Sequence, residues 1–526
     1  MTTSFGMLRT LTSIGLYAAL VAGRPVYPHH RPRHPTSRLK DTPSVLNTTE
    51  HLFEQRIDHL TSNVPPGGNL SFSQRYFVYD KYWSTGNPIF FYCGNEADVE
   101  LYVNATGLMW ERAEEFGAML VWAEHRYYGE SQPFGSLEAS SENRHYLSVE
   151  QAMFDYATLV RTLKDELSSP DSAVIAFGGS YGGMLASWMR FKYPNVIDGA
   201  IAASAPIWSF EGENPQCNPN FFAEGVTYDV TQAGGVATQW CEANFREGFA
   251  QERLVYAGST ADGRAALADA FKLCEPLEDD SSAGWTVTYW VNEALSYMAM
   301  GNYPYPSSYI LNGDGVLPAF PVITACDSFL GEDLTANCGS DPQDLCTPLY
   351  EGLANFAGVY YNNSGSLSCN NLTASVNPES EIVNDLWNYQ YCTEIFQLFG
   401  QDGVDDIFWP APWNATAAID ECNTDNNGLL PRVDWAAVSF GDHDEWRRST
   451  SNIVWSNGEY DPWAGGGVNY NVSDTLVAIM IPRAAHHLDL MFSDPDDTDA
   501  VKEARNFEMQ HIQRWIAERK LSSSKA

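Results

Sequence analysis

Basic side chains are scarce: 30 Lys and Arg stand against 67 Asp and Glu, a net charge of −37 over 526 residues. Such a surface repels phosphate, which excludes nucleic acid and anionic membranes as partners. Long apolar runs are lacking too. After the first two dozen residues no stretch is apolar enough to cross a bilayer, so no membrane span is expected. None of the ten cysteines stands in a CxxC pair, so neither a zinc site nor any other metal or cofactor is expected. Internal repeats and long low-complexity tracts are absent, which argues against a repeat architecture.

What is present is globular. The chain is 44% hydrophobic and 13% aromatic, and its length exceeds one ordinary core, so a large domain with a sizeable insertion, or two domains, is expected. So acidic a composition fits work at low pH, where protonated carboxyls relax self-repulsion. Arg9, the apolar run 11–21 and the small Ala22 and Gly23 read as a secretory signal peptide, 1–23. The basic, Pro- and His-rich stretch 24–44 reads as a leader or propeptide. Sequons at Asn47, Asn69, Asn104, Asn362, Asn371, Asn414 and Asn471 agree with an exported, glycosylated chain. In that oxidising setting disulfides are the default for cysteine. Nine cysteines fall between Cys217 and Cys422, leaving one unpaired there, and Cys93 in its apolar run reads as a buried thiol.

The chain is organised around residues 174–183. Val174-Ile175-Ala176-Phe177 runs into Gly178-Gly179-Ser180-Tyr181-Gly182-Gly183, and an amphipathic run, 184–190, follows. Strand, G-x-S-x-G turn and helix in that order form a nucleophile elbow, which lifts the serine Oγ above the carboxyl edge of a sheet. Gly178 and Gly182 spare the turn two β-carbons where strand and helix come close.

Around the elbow, residues 51–58 and 73–80 alternate as opening antiparallel strands, and 88–93 and 119–123 are continuous apolar runs expected of buried strands. Ser148 with Gln151 reads as a capping box opening a helix with Val149, Ala152, Met153, Tyr156, Val160 and Leu163 on one face. The alternation predicts a parallel sheet with crossover helices. Residues 207–431, rich in Cys, Gly, Pro, Asn and Asp, read as a largely helical, disulfide-stapled insertion between hydrolase parts 45–206 and 432–526. Strands return at 452–455 and 475–481, and Val501, Arg505, Glu508, Ile512 and Trp515 mark a closing helix.

A serine attacks a carbonyl only if a base takes its proton, and an acid must orient that base. Asp461 follows one late strand and His486 the next, in the order Ser…Asp…His of α/β-hydrolases. His487 is an open rival to His486. Asp474 and Asp489 rival Asp461, though Asp474 precedes its strand and belongs at the wrong edge. Oxyanion donors are expected from Tyr181 N–H and from the turn Gly94, Asn95 and Glu96.

At these residues the sequence resembles the prolyl carboxypeptidase and dipeptidyl peptidase II family of serine peptidases. The resemblance rests on residues 53–59, Ala123-Glu124-His125-Arg126-Tyr127-Tyr128-Gly129-Glu130-Ser131, the elbow, and Ala203-Ser204-Ala205-Pro206-Ile207-Trp208. It continues in Cys392-Thr393-Glu394, Ser456-Asn457-Gly458, Asp461-Pro462-Trp463 and Ala485-His486-His487-Leu488-Asp489-Leu490. It implies an α/β-hydrolase fold with a large, mostly helical, disulfide-rich cap over the active site, and a triad of Ser180, Asp461 and His486. It also implies cleavage after proline, with Met184 and Trp463 as candidates for the apolar proline pocket, and bridges Cys241–Cys326, Cys274–Cys369 and Cys392–Cys422. Cys338 and Cys346 look like an extra local pair, and Cys217 lacks its usual partner. Met491 replaces the family's Arg, and Asn388 stands where dipeptidyl peptidase II-like members carry Asp.

The expectation is therefore an acid-active serine exopeptidase, secreted or lysosomal/vacuolar, that cleaves proline-containing peptides in carboxypeptidase mode and leaves room for a homodimer. A dipeptidyl peptidase releasing Xaa-Pro is the alternative within the family. An esterase or lipase, or an inactive adhesion protein, is the alternative outside it.

Overall fold

The two opening stretches become strands β1 (Thr49–Arg56) and β2 (Ser71–Tyr79), an antiparallel pair at one edge of an eight-stranded sheet. A computed structural model describes residues 42–232, 237–280, 282–309, 316–372 and 378–523; the expected signal segment and nearly all of the leader lie outside them. The continuous apolar runs become wholly buried strands β3 (Ile89–Cys93), β4 (Met119–Ala123), β5 (Val174–Gly179) and β6 (Gly199–Ala203). After the insertion come β7 (Ile453–Gly458) and β8 (Leu476–Ile481). The spatial order is β1-β2-β4-β3-β5-β6-β7-β8, parallel from β4 onward. This is an α/β-hydrolase sheet, in which parallel neighbours need crossover helices on both faces.

Helix α1 (Val149–Glu166) crosses from β4 to β5, and α2 (Tyr181–Lys192) from β5 to β6. The apolar stripe of α1, from Val149 through Tyr156 to Leu163, is buried against the sheet. Only half of the expected capping box forms. Ser148 Oγ accepts from Gln151 N–H, but the Gln151 side chain turns away from the cap, donating to buried Asp58 and accepting from His59 N–H.

Between β6 and β7 the chain builds a second apolar core from helices that include α3 (Phe221–Thr231), α4 (Ala283–Met300) and α5 (Pro378–Thr393). Val287, Val291, Leu295 and Met298 of α4 are fully buried in it, and Trp463 joins it from the turn that follows β7. Bridges join Cys241–Cys326, Cys274–Cys369, Cys338–Cys346 and Cys392–Cys422, while Cys93 and Cys217 are free. Cys93 is buried in β3, and burial pushes its thiol pKa upward. Helix α6 (Asp499–Ser523) closes the fold and buries Val501, Arg505, Glu508, Ile512 and Trp515. Among the described residues no helix is long and apolar enough to cross a membrane. Asn47, Asn69, Asn371, Asn414 and Asn471 are exposed, whereas Asn104 and Asn362 are half-buried.

Burial also fixes how the fold responds to pH. Glu213 is buried beside Asp442 with its Oε2 unpartnered, and desolvation, then the neighbouring charge, pushes its pKa from 4.5 up to about 7. The folded state therefore holds this proton more tightly than the unfolded chain. The resulting stability is fully present below pH 4.5 and is lost as pH rises through about 7. The loss is on the order of 3 kcal/mol, at 1.36 kcal/mol per unit. Thermal melting is expected to fall between about pH 5 and pH 7.5, with a shallower fall in Glu213→Gln. Parallel slopes in the two proteins would contradict this account.

Candidate active site

The β5–α2 turn has the strained geometry that an exposed nucleophile needs. Ser180 sits at φ 58° and ψ −128°, with its N–H bonded to Ala203 O at 3.0 Å. Such a backbone persists only where packing over-determines it. A β-carbon on Gly178 would lie 2.0 Å from Gly182 O, and one on Gly182 2.8 Å from Cys93 O. Only glycine fits at either position. Ser180 is half-buried between fully buried neighbours, which leaves its side chain within reach of solvent.

The other two expected residues emerge at the same sheet edge. Asp461 follows β7 and caps the 3-10 turn Pro462–Gly466, its Oδ1 accepting from Trp463 N–H at 3.1 Å. His486 follows β8, and its Nδ1 lies 2.9 Å from Asp461 Oδ1. With Nδ1–H donated to the carboxylate, the Nε2 lone pair is free to act as a base. No hydrogen bond joins Ser180 to His486 among the described residues; such contacts often tighten only with substrate. His487 takes another place. Its N–H donates to Ser204 Oγ at 2.8 Å, and its buried ring packs against Gly179, where a β-carbon would come within 2.8 Å. Burial, then the neighbouring His486, holds the His487 pKa well below the ordinary value, so this imidazole is neutral. Asp474 stands just before β8, at the opposite sheet edge. Asp489 is engaged by Ser456 Oγ at 2.7 Å.

Two parts of the fold grip the histidine loop. From the insertion, Met300 O accepts from His486 N–H at 3.2 Å, and Tyr303 Oη donates to His486 O at 2.9 Å. From α6, the Arg505 guanidinium donates to the carbonyls of Leu488, Asp489 and Met491 and pairs with buried Asp497 at 2.6 Å. Met491 thus has a guanidinium at its carbonyl, supplied from another element.

Of the expected oxyanion donors, Gly94 N–H is spent on Ala123 O at 3.1 Å, which extends the β3–β4 pairing by one residue. The Tyr181 and Asn95 N–H groups have no acceptor among the described residues. Glu96 is buried with Oε2 unpartnered, and burial raises its pKa. The Tyr181 side chain is fixed by a relay. Tyr128 Oη donates to Gln390 Oε1, Gln390 Nε2 to Tyr181 Oη at 3.1 Å, and Tyr181 Oη to His125 Nε2 at 3.1 Å. His125 Nδ1 donates to Arg126 O at 2.7 Å, and burial lowers the His125 pKa to about 4, so it remains the neutral acceptor this relay requires. His125 and Gln390 had no local sequence signal beyond the block that contains His125.

Met184 and Trp463 occupy different clusters. Met184, on α2, is buried in the hydrolase core, whereas Trp463 packs with Phe222 at 4.9 Å and Phe399 at 5.8 Å and donates Nε1–H to Met300 Sδ.

A strained serine on an elbow, with an Asp–His pair at the same edge, is the arrangement of a serine hydrolase. The family model for serine carboxypeptidase S28 matches residues 55–508. The chain belongs to the serine carboxypeptidase S28 family. It is a serine-type peptidase acting on peptides. Lysosomal Pro-X carboxypeptidase of Pongo abelii is 39% identical to this chain over 511 residues, covering 96% of it and 94% of the relative. Prolyl carboxy peptidase like protein 5 of Caenorhabditis elegans is 36% identical over 475 residues, covering 86% and 88%. Among solved structures, proline iminopeptidase of Mycobacterium smegmatis aligns over 86% of this chain and 98% of its own at 12% identity, with a TM-score of 0.36.

Proposed function

We propose that this S28 peptidase is a Pro-Xaa carboxypeptidase of acidic compartments, with Ser180, His486 and Asp461 as its triad. The observation that carries the reading is the 2.9 Å Asp461–His486 bond at the sheet edge where Ser180 stands on its strained turn. His486 Nε2 takes the proton as Ser180 Oγ adds to the prolyl carbonyl, then returns it to the departing amine, breaking the C–N bond. Water repeats the cycle on the acyl-enzyme. The Tyr181 and Asn95 N–H groups stabilise the oxyanion, each worth on the order of a hundred- to a thousandfold in rate. Trp463, with Phe222, Phe399 and Met300 around it, offers an apolar wall to the proline ring. Asn388 supplies no anion for a substrate's terminal amine, which favours release from the carboxyl end. The names of the Pro-X carboxypeptidase relatives support the same substrate class and a lysosomal or secreted setting.

Mass spectrometry of products at about pH 5 tests this. An N-blocked peptide ending in Pro-Xaa is expected to lose Xaa, while its C-terminal amide resists. Release of Xaa-Pro from free N-termini would replace this reading with the dipeptidyl mode. Hydrolysis of esters alone would replace it with an esterase.

A further inference from the structure

The insertion reaches the nucleophile elbow through α5. That helix is seated on the hydrolase part at two points: Asp385 pairs with Arg144 at 2.5 Å, and Glu394, just past its end, accepts from the N–H of Val149, the first residue of α1, at 2.6 Å. Between these anchors Trp387 meets the Tyr181 ring edge-on at 5.4 Å, and fully buried Gln390 hydrogen-bonds the Tyr181 hydroxyl. Tyr181 is the residue after Ser180, and its N–H is a proposed oxyanion donor.

The hydrogens along this contact run only one way. The carbonyl of Arg126 only accepts, so the proton of the neutral His125 ring lies on Nδ1, 2.7 Å away, and Nε2 is bare. Tyr181 Oη, 3.1 Å from that nitrogen, donates to it and therefore accepts from its other side. Gln390 Nε2, at 3.1 Å, is the donor there, which turns Gln390 Oε1 to the Tyr128 hydroxyl. All four side chains are buried, and with every donor fixed each link depends on the one before it. At position 390 an amide fits, and so does a carboxyl group while it holds its proton. A carboxylate only accepts and does not fit.

The peptide plane between Ser180 and Tyr181 carries the Tyr181 N–H. Its tilt is set at one end by the strained Ser180 backbone, φ 58° and ψ −128°, and at the other by where the side chain of Tyr181 holds its Cα. We propose that Gln390 is a positioning residue for the oxyanion hole: by holding the Tyr181 hydroxyl it fixes the direction of the Tyr181 N–H, so the elbow is armed only while α5 of the insertion is seated. Gln390 acts through Tyr181 and not on the substrate. The oxyanion exists only as the reaction proceeds, so the loss on removing Gln390 falls on kcat and spares KM.

This role rests on the triad assignment and on Tyr181 N–H as an oxyanion donor. On the full chain, kcat and KM for an N-blocked Pro-Xaa peptide, the rate of Ser180 labelling by a fluorophosphonate and the melting temperature are followed between about pH 4 and pH 7. Gln390→Leu, close in size but without donor or acceptor, is expected to lower kcat and the labelling rate by roughly tenfold, with KM within about twofold. Gln390→Glu is expected to recover most of that loss at the acid end, where the introduced carboxyl keeps its proton, and to lose it again as pH rises. The charges felt at the Tyr181 hydroxyl are those of the acids Glu394, Glu96 and Glu150, and Arg126 behind His125 is engaged by Asp155, so the surroundings favour the protonated form. Tyr128 and Tyr156, the other titratable neighbours, are held neutral by burial. Tyr128→Phe removes the donor to Gln390 Oε1 and is expected to lower kcat by about threefold, which keeps the test open where Gln390→Leu does not fold. An unchanged kcat in the folded variants overturns the role of Gln390 and leaves the triad standing. A Gln390→Glu profile parallel to wild type overturns it as well, since a packing role would not feel that proton. Absence of Ser180 labelling in the wild type at every pH overturns the triad and this proposal with it.

Discussion

Replacing Ser180 with Ala is expected to lower kcat by roughly 10⁴- to 10⁶-fold while leaving the melting temperature where it was. The two halves of this expectation have separate causes. The rate falls because no other group at the sheet edge can form the acyl-enzyme. The neutral His487 is committed to packing on Gly179, and Cys93, a free thiol, is buried in β3 with a raised pKa. The melting temperature holds because alanine keeps the β-carbon that the strained φ of 58° already tolerates, and the backbone bond from residue 180 N–H to Ala203 O survives. His486→Ala is expected to fall by a similar factor, and the double variant by little more than either single one, since the groups act as a unit. Steady-state kinetics on an N-blocked Pro-Xaa peptide reads both. A variant that keeps more than about one per cent of wild-type kcat would show that the nucleophile lies elsewhere.

Why Ser180 could be singled out in advance, and Gln390 could not, is a matter of how local the chemistry is. The elbow is written in consecutive residues: an apolar strand, glycines where backbones touch, and a serine between them. The buried strands were equally legible, because their apolar runs are continuous, whereas the two opening strands do not alternate as expected: β1 is mostly exposed and residues 74–77 of β2 are buried in succession. Signals fade where the partner is distant in sequence. Gln151 has the spacing of a capping box, yet its side chain goes to Asp58, 93 residues earlier, because that buried acceptor has more to gain. Gly94 stands in the oxyanion turn, but its N–H is taken by the strand next door. Met184 and Trp463 are both apolar and both near the site in sequence, and only packing assigns them to different cores. Gln390 is an ordinary polar residue on α5, and its place in the relay to Tyr181 arises only when that helix meets Tyr128 and Tyr181.

The same distance dependence makes Arg126 the residue whose removal should damage the fold most. It is fully buried and uses every donor it has. Its Nε and one Nη donate to Asp155 at 2.6 and 2.7 Å, and the remaining N–H groups to the carbonyls of Ile57, Tyr146 and Arg56. Asp155 also accepts from His59 at 2.8 Å and lies on α1, so one ion pair joins β1's exit, the β4 loop and the first crossover helix. A surface pair would contribute little, but removing one partner here strands a buried charge, which costs on the order of 3–5 kcal/mol. Arg126→Met is expected to lose that much in urea unfolding. Arg126→Met combined with Asp155→Leu should lose less than the sum of the single losses, because neither variant charge is then left alone. Strict additivity, or a single loss below about 1 kcal/mol, would mean the pair is solvated after all. Activity should follow stability at this position. The carbonyl of Arg126 receives His125 Nδ1–H, and His125 in turn holds Tyr181, whose N–H is the proposed oxyanion donor. Displacing the Arg126 backbone would therefore loosen the proposed oxyanion contact two hydrogen bonds away, and kcat is expected to fall in a variant still folded at the assay temperature, with KM moving less.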